Sequence, residues 1–371
     1  MDKFCIAPFV HSCTNVGGRN KPCCRFSDCE YFDHKPPMEY FLSPQMDKLR
    51  QQMLDNEELQ GCAKCYRDEE LGHPSLREKL NAEFGVTPDK KLKYIEIGLS
   101  NLCNMACVTC DAQYSTTWWK DIDEVNSIPE IVSTKSMKAK GKNKIEYTDF
   151  DFNDLSHVTK IKLLGGEPFM EQRNLNFLKK FDLKNINLDL STNGSVLPNA
   201  QWLEVLDSVK NLYLNISIDG KGRVAEFVRH GTNWQKIKNN IKWWQNWRWS
   251  KGNRDTCPVY LQIHYVVHAL NILDLADYEE WHRSFIGEKM PTYDLCSYPE
   301  YLDIKFLPKR IKEHLLNQEL PEVVKKYVEK HIDAEDSFKT KQLVKYVDKL
   351  IDLRGPTRSK IINWLMWELK K

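Results

Sequence analysis

Asn211-Leu212-Tyr213-Leu214-Asn215-Ile216-Ser217-Ile218-Asp219 is the stretch on which the fold reading turns. Successive side chains of a strand point to opposite faces. The segment therefore divides into Leu212, Leu214, Ile216 and Ile218 on one side and Tyr213, Asn215, Ser217 and Asp219 on the other. One face is apolar and the other polar throughout.

The same division recurs at Ile186, Leu188 and Leu190 against Asn187, Asp189, Ser191 and Asn193, and at Leu261, Ile263, Tyr265 and Val267 against Gln262, His264, Val266 and His268. Lys160 and Lys162 oppose Ile161 and Leu163 in the same way. Strands are predicted over 93–99, 160–164, 186–192, 211–218 and 259–267, with a sixth near 293–298. Segments of helical length and composition lie near 112–126, 171–181, 199–209, 233–249 and 272–286. Strands alternating with helices predict a parallel sheet built from βα units.

A closed eight-stranded barrel fills its interior with branched apolar side chains, and a parallel sheet covered on both faces reads as continuous Val, Ile and Leu. A sheet that keeps one face polar points to an incomplete barrel. The expected fold is thus α/β, a partial (β/α)6 TIM-type barrel whose apolar face packs on helices and whose inner face holds a polar ligand. An antiparallel sheet with one solvated face would alternate likewise, but the intervening helices argue against it. The barrel is expected over 90–299, preceded by a Cys-rich subdomain over 1–85 and followed by a helical extension over 300–371 broken at Pro308, Pro321 and Pro356.

Among 371 residues, 54 Lys and Arg stand against 52 Asp and Glu, so no overall charge draws the chain to nucleic acid or an anionic membrane. No run approaches the roughly 18 apolar residues of a spanning helix. The start, Met-Asp-Lys-Phe-Cys-Ile-Ala-Pro, has no apolar signal region, which places the protein in the cytoplasm. The basic stretch Lys135, Lys138, Lys140, Lys142 and Lys144 reads as a solvated loop. Trp243 and Trp247 share a helical face and read as core or subunit contact.

Twelve cysteines in a reducing compartment argue for metal ligation or redox chemistry over disulfides. Seven lie in the first 65 residues (Cys5, Cys13, Cys23, Cys24, Cys29, Cys62 and Cys65), and Cys103, Cys107 and Cys110 share one loop. Cys257 and Cys296 are isolated and default to small buried hydrophobes. The loop Cys103-Asn-Met-Ala-Cys107-Val-Thr-Cys110 directly follows the first strand, the end at which βα enzymes place their chemistry. A 4Fe-4S cluster usually takes four cysteines, so three from one loop leave one iron open to an outside ligand. A zinc knuckle with a distant fourth ligand is the bland alternative, though zinc sites favour paired C-x2-C spacing.

Here the chain resembles the radical S-adenosylmethionine enzymes, over about residues 93–290. Leu164-Gly165-Gly166-Glu167-Pro168 is similar to the family's GGEP motif, which meets the methionine amino group; glycine there lets backbone approach the ligand. Ser191 and Asn193, in the stretch that closes the third strand, and Ser217 and Asp219, in the one that closes the fourth, stand at positions that bind ribose and carboxylate in similar enzymes. Arg229 resembles the downstream arginine that pairs with the carboxylate. One departure is Thr109, where the family has an aromatic residue, so the adenine contact must come from elsewhere.

Cys5-Ile-Ala-Pro8-Phe9, Pro22-Cys23-Cys24 and Cys62-Ala-Lys-Cys65 resemble a SPASM/twitch auxiliary-cluster domain, here placed ahead of the barrel. Cys5, Cys23, Cys62 and Cys65 would ligate a second 4Fe-4S cluster, with Cys24 able to replace Cys23, or a structural zinc. Cys13 and Cys29 have no assigned task.

The resemblance implies reductive cleavage of S-adenosylmethionine to a 5'-deoxyadenosyl radical that abstracts hydrogen from a substrate, with a one-electron reductant such as flavodoxin or ferredoxin as partner. Asp189, Tyr213, His264, His268 and Cys296 are the candidates to act on that substrate, Cys296 as a hydrogen-atom donor. Relatives with auxiliary clusters most often modify peptides or proteins, and that is the leading expectation. A small polar metabolite, a sugar or nucleotide, would suit the polar face. A non-catalytic iron-sulfur or zinc-stapled interaction protein stands outside the enzyme class altogether.

Overall fold

In a computed structural model of the chain, Leu212, Leu214 and Ile216 are fully buried while Asn211, Tyr213, Asn215 and Ser217 are partly exposed, so the alternation in sequence is an alternation of burial. Each such aliphatic side chain contributes about 2 kcal/mol on leaving water. The structure describes residues 2–132, 155–252, 256–287 and 290–371; the basic stretch from Lys135 to Lys144 lies outside them.

Ten strands occur in the described residues: β1 His11–Thr14, β2 Asn20–Lys21, β3 Tyr94–Ser100, β4 Ala106–Cys107, β5 Lys160–Gly165, β6 Asn187–Thr192, β7 Asn211–Ser217, β8 Arg229–His230, β9 Val259–Val267 and β10 Thr292–Leu295. The chain divides into two units, one of Met1–Asn101, Lys144–Leu190 and Pro198–Tyr213, the other of Leu102–Asn143, Ser191–Leu197 and Leu214–Lys371.

In the first unit the strand order is β7-β6-β5-β3-β1-β2. β1 runs parallel to β3, β3 to β5 and β5 to β6, and β2 turns back antiparallel on β1. The register aligns Cys13 with Glu96, Glu96 with Lys162 and Lys162 with Asp189 across four strands. A charged row therefore crosses the polar face.

β1 was not foreseen: all four of its residues are buried, so no alternation marks it in the sequence. The N-terminal segment otherwise closes on an apolar core of its own, in which Phe9, Val10, Phe26, Met46, Leu49, Met53 and Tyr94 meet. Its helix α1, Pro44–Leu54, begins where the Ser43 side chain accepts from the backbone N–H of Met46. Two further helices follow, α2 Ala63–Glu70, which starts after Cys62 and carries Cys65, and α3 Leu76–Phe84.

In the second unit the order is β10-β9-β7, with β10 parallel to β9. The crossover helices fall where the sequence places them: α4 Gln172–Leu178, α5 Ala200–Ser208, α7 Trp234–Trp249 and α8 Leu275–Phe285, with α6 Gly222–Val228 additional. The Trp243 and Trp247 rings of α7 stack at 6.3 Å. The prolines of the C-terminal region punctuate it as expected. Pro308 and Pro321 sit at the N-caps of α9 Lys309–Leu316 and α10 Glu322–Lys330, and Pro356 follows the Gly355 that ends α11 Ser337–Arg354. α12, Lys360–Leu369, closes the chain. No described helix is long and apolar enough to cross a membrane.

Candidate functional site

A loop without regular structure must still satisfy its buried carbonyls. In the three-cysteine loop that task falls to side chains. Thr117 Oγ1 donates to the Cys103 carbonyl at 2.6 Å, Ser115 Oγ to that of Met105 at 2.5 Å, Trp118 Nε1 to that of Cys107 at 3.0 Å and Tyr346 OH to that of Val108 at 3.0 Å. Arg354 Nη1 donates to the Ala106 carbonyl at 3.0 Å while its Nε donates to Asp121 at 2.7 Å. A two-residue ribbon sets Ala106 against His230 and Cys107 against Arg229. Gly231 permits this approach, since a Cβ there would lie 2.6 Å from the Asn104 carbonyl. α11, which falls in the helical extension expected over 300–371, thus holds the cysteine loop through Tyr346 and Arg354.

The three thiols act on one another electrostatically. Burial pushes the Cys107 thiol up to about 11; Arg229 and then Arg354 pull against it, while Cys103 pushes further. Cys110 is raised by burial and then by Cys107, Asp111 and Cys103. Thiols held together in this way deprotonate when a metal supplies the countercharge. The donor set fits an iron-sulfur cluster.

Around the loop, Asn193 Nδ2 donates to Asn104 Oδ1 at 2.9 Å and lies 3.9 Å from Cys103 Sγ, Asn104 Nδ2 donates to Ser195 Oγ at 2.8 Å, and Ser195 Oγ donates to Asn193 Oδ1 at 2.6 Å. Asn193, Ser217 and Arg229, three of the expected cofactor residues, line one small cleft. Ile218, Thr232 and Trp234 line it too, none of them among the expected cofactor residues. Ser191 is exposed at the end of β6. Arg229 and Asp219, both expected to meet the ligand, pair with each other at 2.7 Å, and the second Asp219 oxygen accepts from Val266 N at 2.8 Å. The Arg229 Nε is buried without a hydrogen-bond partner among the described residues.

In the first unit, Gly165 has φ +114, and a Cβ there would lie 2.1 Å from the Ser100 carbonyl and 2.8 Å from Val16 Cγ1. Gly166 N donates to the same carbonyl at 2.9 Å. The glycine of this motif is required by the backbone of β3, a reason that the approach of a ligand does not exhaust. Glu167 is buried behind it.

Cys5, Cys23, Cys62 and Cys65 line a single cavity with Arg25 and Arg77. Burial pushes the Cys5 and Cys62 thiols up to about 12, each raised further by cysteine neighbours. The set fits a second cluster or a zinc ion. Cys24 faces the other way: its thiol is hydrogen-bonded to Glu96, beside Lys162. Cys13 lies next to Glu96 in the sheet register and Cys29 is exposed. Among the described residues no three His, Cys, Asp or Glu side chains close on one point as the ligands of a single ion do.

Glu96 is the centre of the charged row. Its carboxyl, despite burial, is held well below the usual range by Lys162 at 3.6 Å and by His11, whose Nε2 is 3.2 Å away. Tyr94 OH donates to it at 2.9 Å. Asp189 raises Lys162 from the far side of the row.

Of the remaining candidates, Tyr213 and Asp189 are half-buried on the polar face of the first unit's strands. In the second unit His264 contacts Thr292 Oγ1 through Nδ1 at 2.9 Å and Asp294 through Nε2 at 3.4 Å. His268 departs from the expectation. β9 ends at Val267, and His268 beyond it is fully buried, its Nδ1 accepting from Leu270 N at 3.2 Å. Burial lowers its pKa to about 4, so the ring is neutral. Cys296 falls just after β10, which stops at Leu295, and its buried thiol donates to the Tyr298 carbonyl at 3.2 Å. The thiol of Cys257 donates to the Arg248 carbonyl at 3.3 Å.

No protein-family model matches the chain, and no curated protein matches it. Among solved structures, it is similar to native anSMEcpe with bound AdoMet at 16% identity and TM-score 0.35, covering 72% of this chain and 68% of that one. It is similar to TYW1 with a lysine-pyruvate adduct bound at 13% identity and TM-score 0.37, covering 73% and 80%. It is similar to SuiB of Streptococcus suis at 14% identity and TM-score 0.36, covering 65% of this chain and 47% of SuiB, about half that protein's length.

Proposed function

We propose that the chain is a radical S-adenosylmethionine enzyme in which Cys103, Cys107 and Cys110 hold a 4Fe-4S cluster and Cys5, Cys23, Cys62 and Cys65 hold a second. The observation that carries the reading is the anchoring of the cysteine loop. Five of its carbonyls are taken up by the side chains of Thr117, Ser115, Arg354, Trp118 and Tyr346. Such anchoring holds Cys103, Cys107 and Cys110 on one short loop, where a cluster would supply the countercharge that their thiolates need.

When bound, the cluster and S-adenosylmethionine supply a reducing electron and a carbon-centred radical. The chain's own part is to bind and orient. Arg229, fixed by Asp219, sets a cation beside Cys107. Asn193, braced by Asn104 and Ser195, and Ser217 offer polar groups to the adjoining cleft, and Trp234 offers the aromatic wall that Thr109 does not. Gly165, which ends β5, and Gly166 and Glu167 after it are the segment that the resemblance assigns to the methionine end.

The substrate class we favour is a peptide or protein, on the resemblance of the N-terminal cysteines to auxiliary-cluster domains. The row through Lys162 and Asp189 and the half-buried Tyr213 offer it charged and polar contacts.

The test is anaerobic reconstitution followed by iron analysis and incubation with dithionite and S-adenosylmethionine. Formation of 5'-deoxyadenosine supports the proposal. A protein without iron and without cleavage would return the chain to a zinc-stapled interaction module. Deuterium transfer from labelled candidate peptides into 5'-deoxyadenosine then tests the substrate class; transfer from sugars or nucleotides alone would overturn it.

A further inference from the structure

Asn271 lies in the turn beyond β9 and is fully buried, and its side-chain amide is spent entirely on backbone. Nδ2 donates to the Asp219 carbonyl at 3.1 Å and to the Val266 carbonyl at 2.8 Å, and Oδ1 accepts from His268 N at 2.8 Å. Two hydrogens on one nitrogen meet two carbonyls, and the oxygen beside it meets an N–H. Among residues of this size only asparagine supplies that set. The Asn271 carbonyl is itself fixed, accepting from Tyr265 OH at 3.1 Å and from Asp274 N at 3.0 Å.

The amide joins the segment just past β7 to the end of β9, and Asp219 makes the same join a second time. Its Oδ1 accepts from Val266 N at 2.8 Å, which leaves Oδ2 to accept from Arg229 Nη1 at 2.7 Å. Asp219 is thus held at its carbonyl by Asn271 and at its carboxylate by β9. The Asp274 carboxylate steadies the next part of the turn, accepting from Lys221 N at 2.7 Å. Asn271, Asp219, Val266 and Arg229 all belong to the second unit.

At the far end of this chain of bonds, Arg229 lines the cleft with Asn193 and Ser217 and stands opposite Cys107 in the β4–β8 ribbon. A guanidinium reads a carboxylate through a planar fork, so its orientation decides how well it binds. Asp219 holds that fork, and Asn271 holds Asp219.

We propose that Asn271 is a positioning residue for S-adenosylmethionine: by fixing Asp219 it aims the Arg229 guanidinium at the carboxylate of that ligand. The inference rests on the radical reading above and adds to it a residue that acts through two others.

The experiment is equilibrium dialysis of labelled S-adenosylmethionine against reconstituted proteins of matched iron content, with thermal unfolding alongside. Asn271→Ser has a hydroxyl too short to span both carbonyls, and Asn271→Asp keeps the shape and the acceptor for His268 N but has no N–H for either carbonyl. In both, the dissociation constant should rise about tenfold. Tyr327→Phe is the structural control. It loses the bonds of Tyr327 OH to Asp303 at 2.9 and 3.0 Å in the C-terminal extension, and should lower the melting temperature without changing the dissociation constant. Arg229→Gln lacks the fork but can still donate to Asp219, and in that background Asn271→Ser should weaken binding further by less than about twofold. Unchanged affinity in a folded Asn271 variant, an equal loss in Tyr327→Phe, or the full tenfold loss on top of Arg229→Gln overturns the positioning role while wild-type binding keeps the radical reading. A wild type with its iron in place that binds no S-adenosylmethionine and forms no 5'-deoxyadenosine overturns that reading and the role of Asn271 with it.

Discussion

Arg229 donates from Nη1 to Asp219 Oδ2 at 2.7 Å, in a pair whose side chains are 13% and 2% exposed. Removing one member of a buried pair strands the other's charge, which costs about 3 to 5 kcal/mol. Arg229→Met is therefore expected to lower the unfolding free energy by about 3 kcal/mol in guanidinium titrations. Adding Asp219→Asn should recover part of that loss, because the stranded charge goes with it. Additive losses in the double variant would show that the pair is not coupled.

Cys23 and Cys24 are neighbours with different surroundings, one in the four-cysteine cavity and one against Glu96. Cys23→Ser should therefore lower the iron content from about eight per chain to about four, and Cys24→Ser should leave it unchanged. Iron and sulfide analysis, with the spectrum of the reduced protein, reads the outcome without any turnover. Equal loss in both variants would place Cys24 at the cavity as well.

Gly165 and Gly85 both have positive φ, +114 and +78, but only Gly165 has backbone within the reach of a Cβ. Gly165→Ala must push against the Ser100 carbonyl between β3 and β5 and should cost about 3 kcal/mol. Gly85→Ala meets open space and should cost about 1 kcal/mol, the strain of φ alone. Denaturation midpoints of the two variants decide whether packing or dihedral preference governs the motif's glycine.

What could be read in advance follows from where the determinants lie. β7 and β6 announce themselves because each alternates a buried aliphatic with a polar residue on an open face. Pro308 and Pro321 mark helix starts by local stereochemistry alone. β1 has no alternation, being buried on both faces, and its place beside β3 is a matter of long-range register. Likewise Tyr346 and Arg354 look like ordinary residues of α11, and only folding brings them to Val108 and Ala106. The cysteines of the N-terminal set were legible as a group; which of Cys23 and Cys24 joins it depends on the partner that Glu96 provides.

His268 supplies a pH dependence that can be worked out in sign. Its folded pKa is about 4, lowered first by burial, and its unfolded value is the ordinary 6.5. Between those values the unfolded chain binds a proton that the folded protein does not, so stability rises with pH and falls as pH drops below 6.5. At pH 5 this one group should have lost about 2 kcal/mol relative to pH 7.5. His268→Gln removes the titration and should flatten that part of the profile, although losing the acceptor for Leu270 N lowers its plateau. The measurement is the unfolding free energy of both proteins at half-unit steps of pH from 7.5 to 5. Parallel curves would show that His268 stays uncharged in the unfolded chain as well or is protonated in the folded one, and either result rules out the buried neutral imidazole as the source of acid sensitivity.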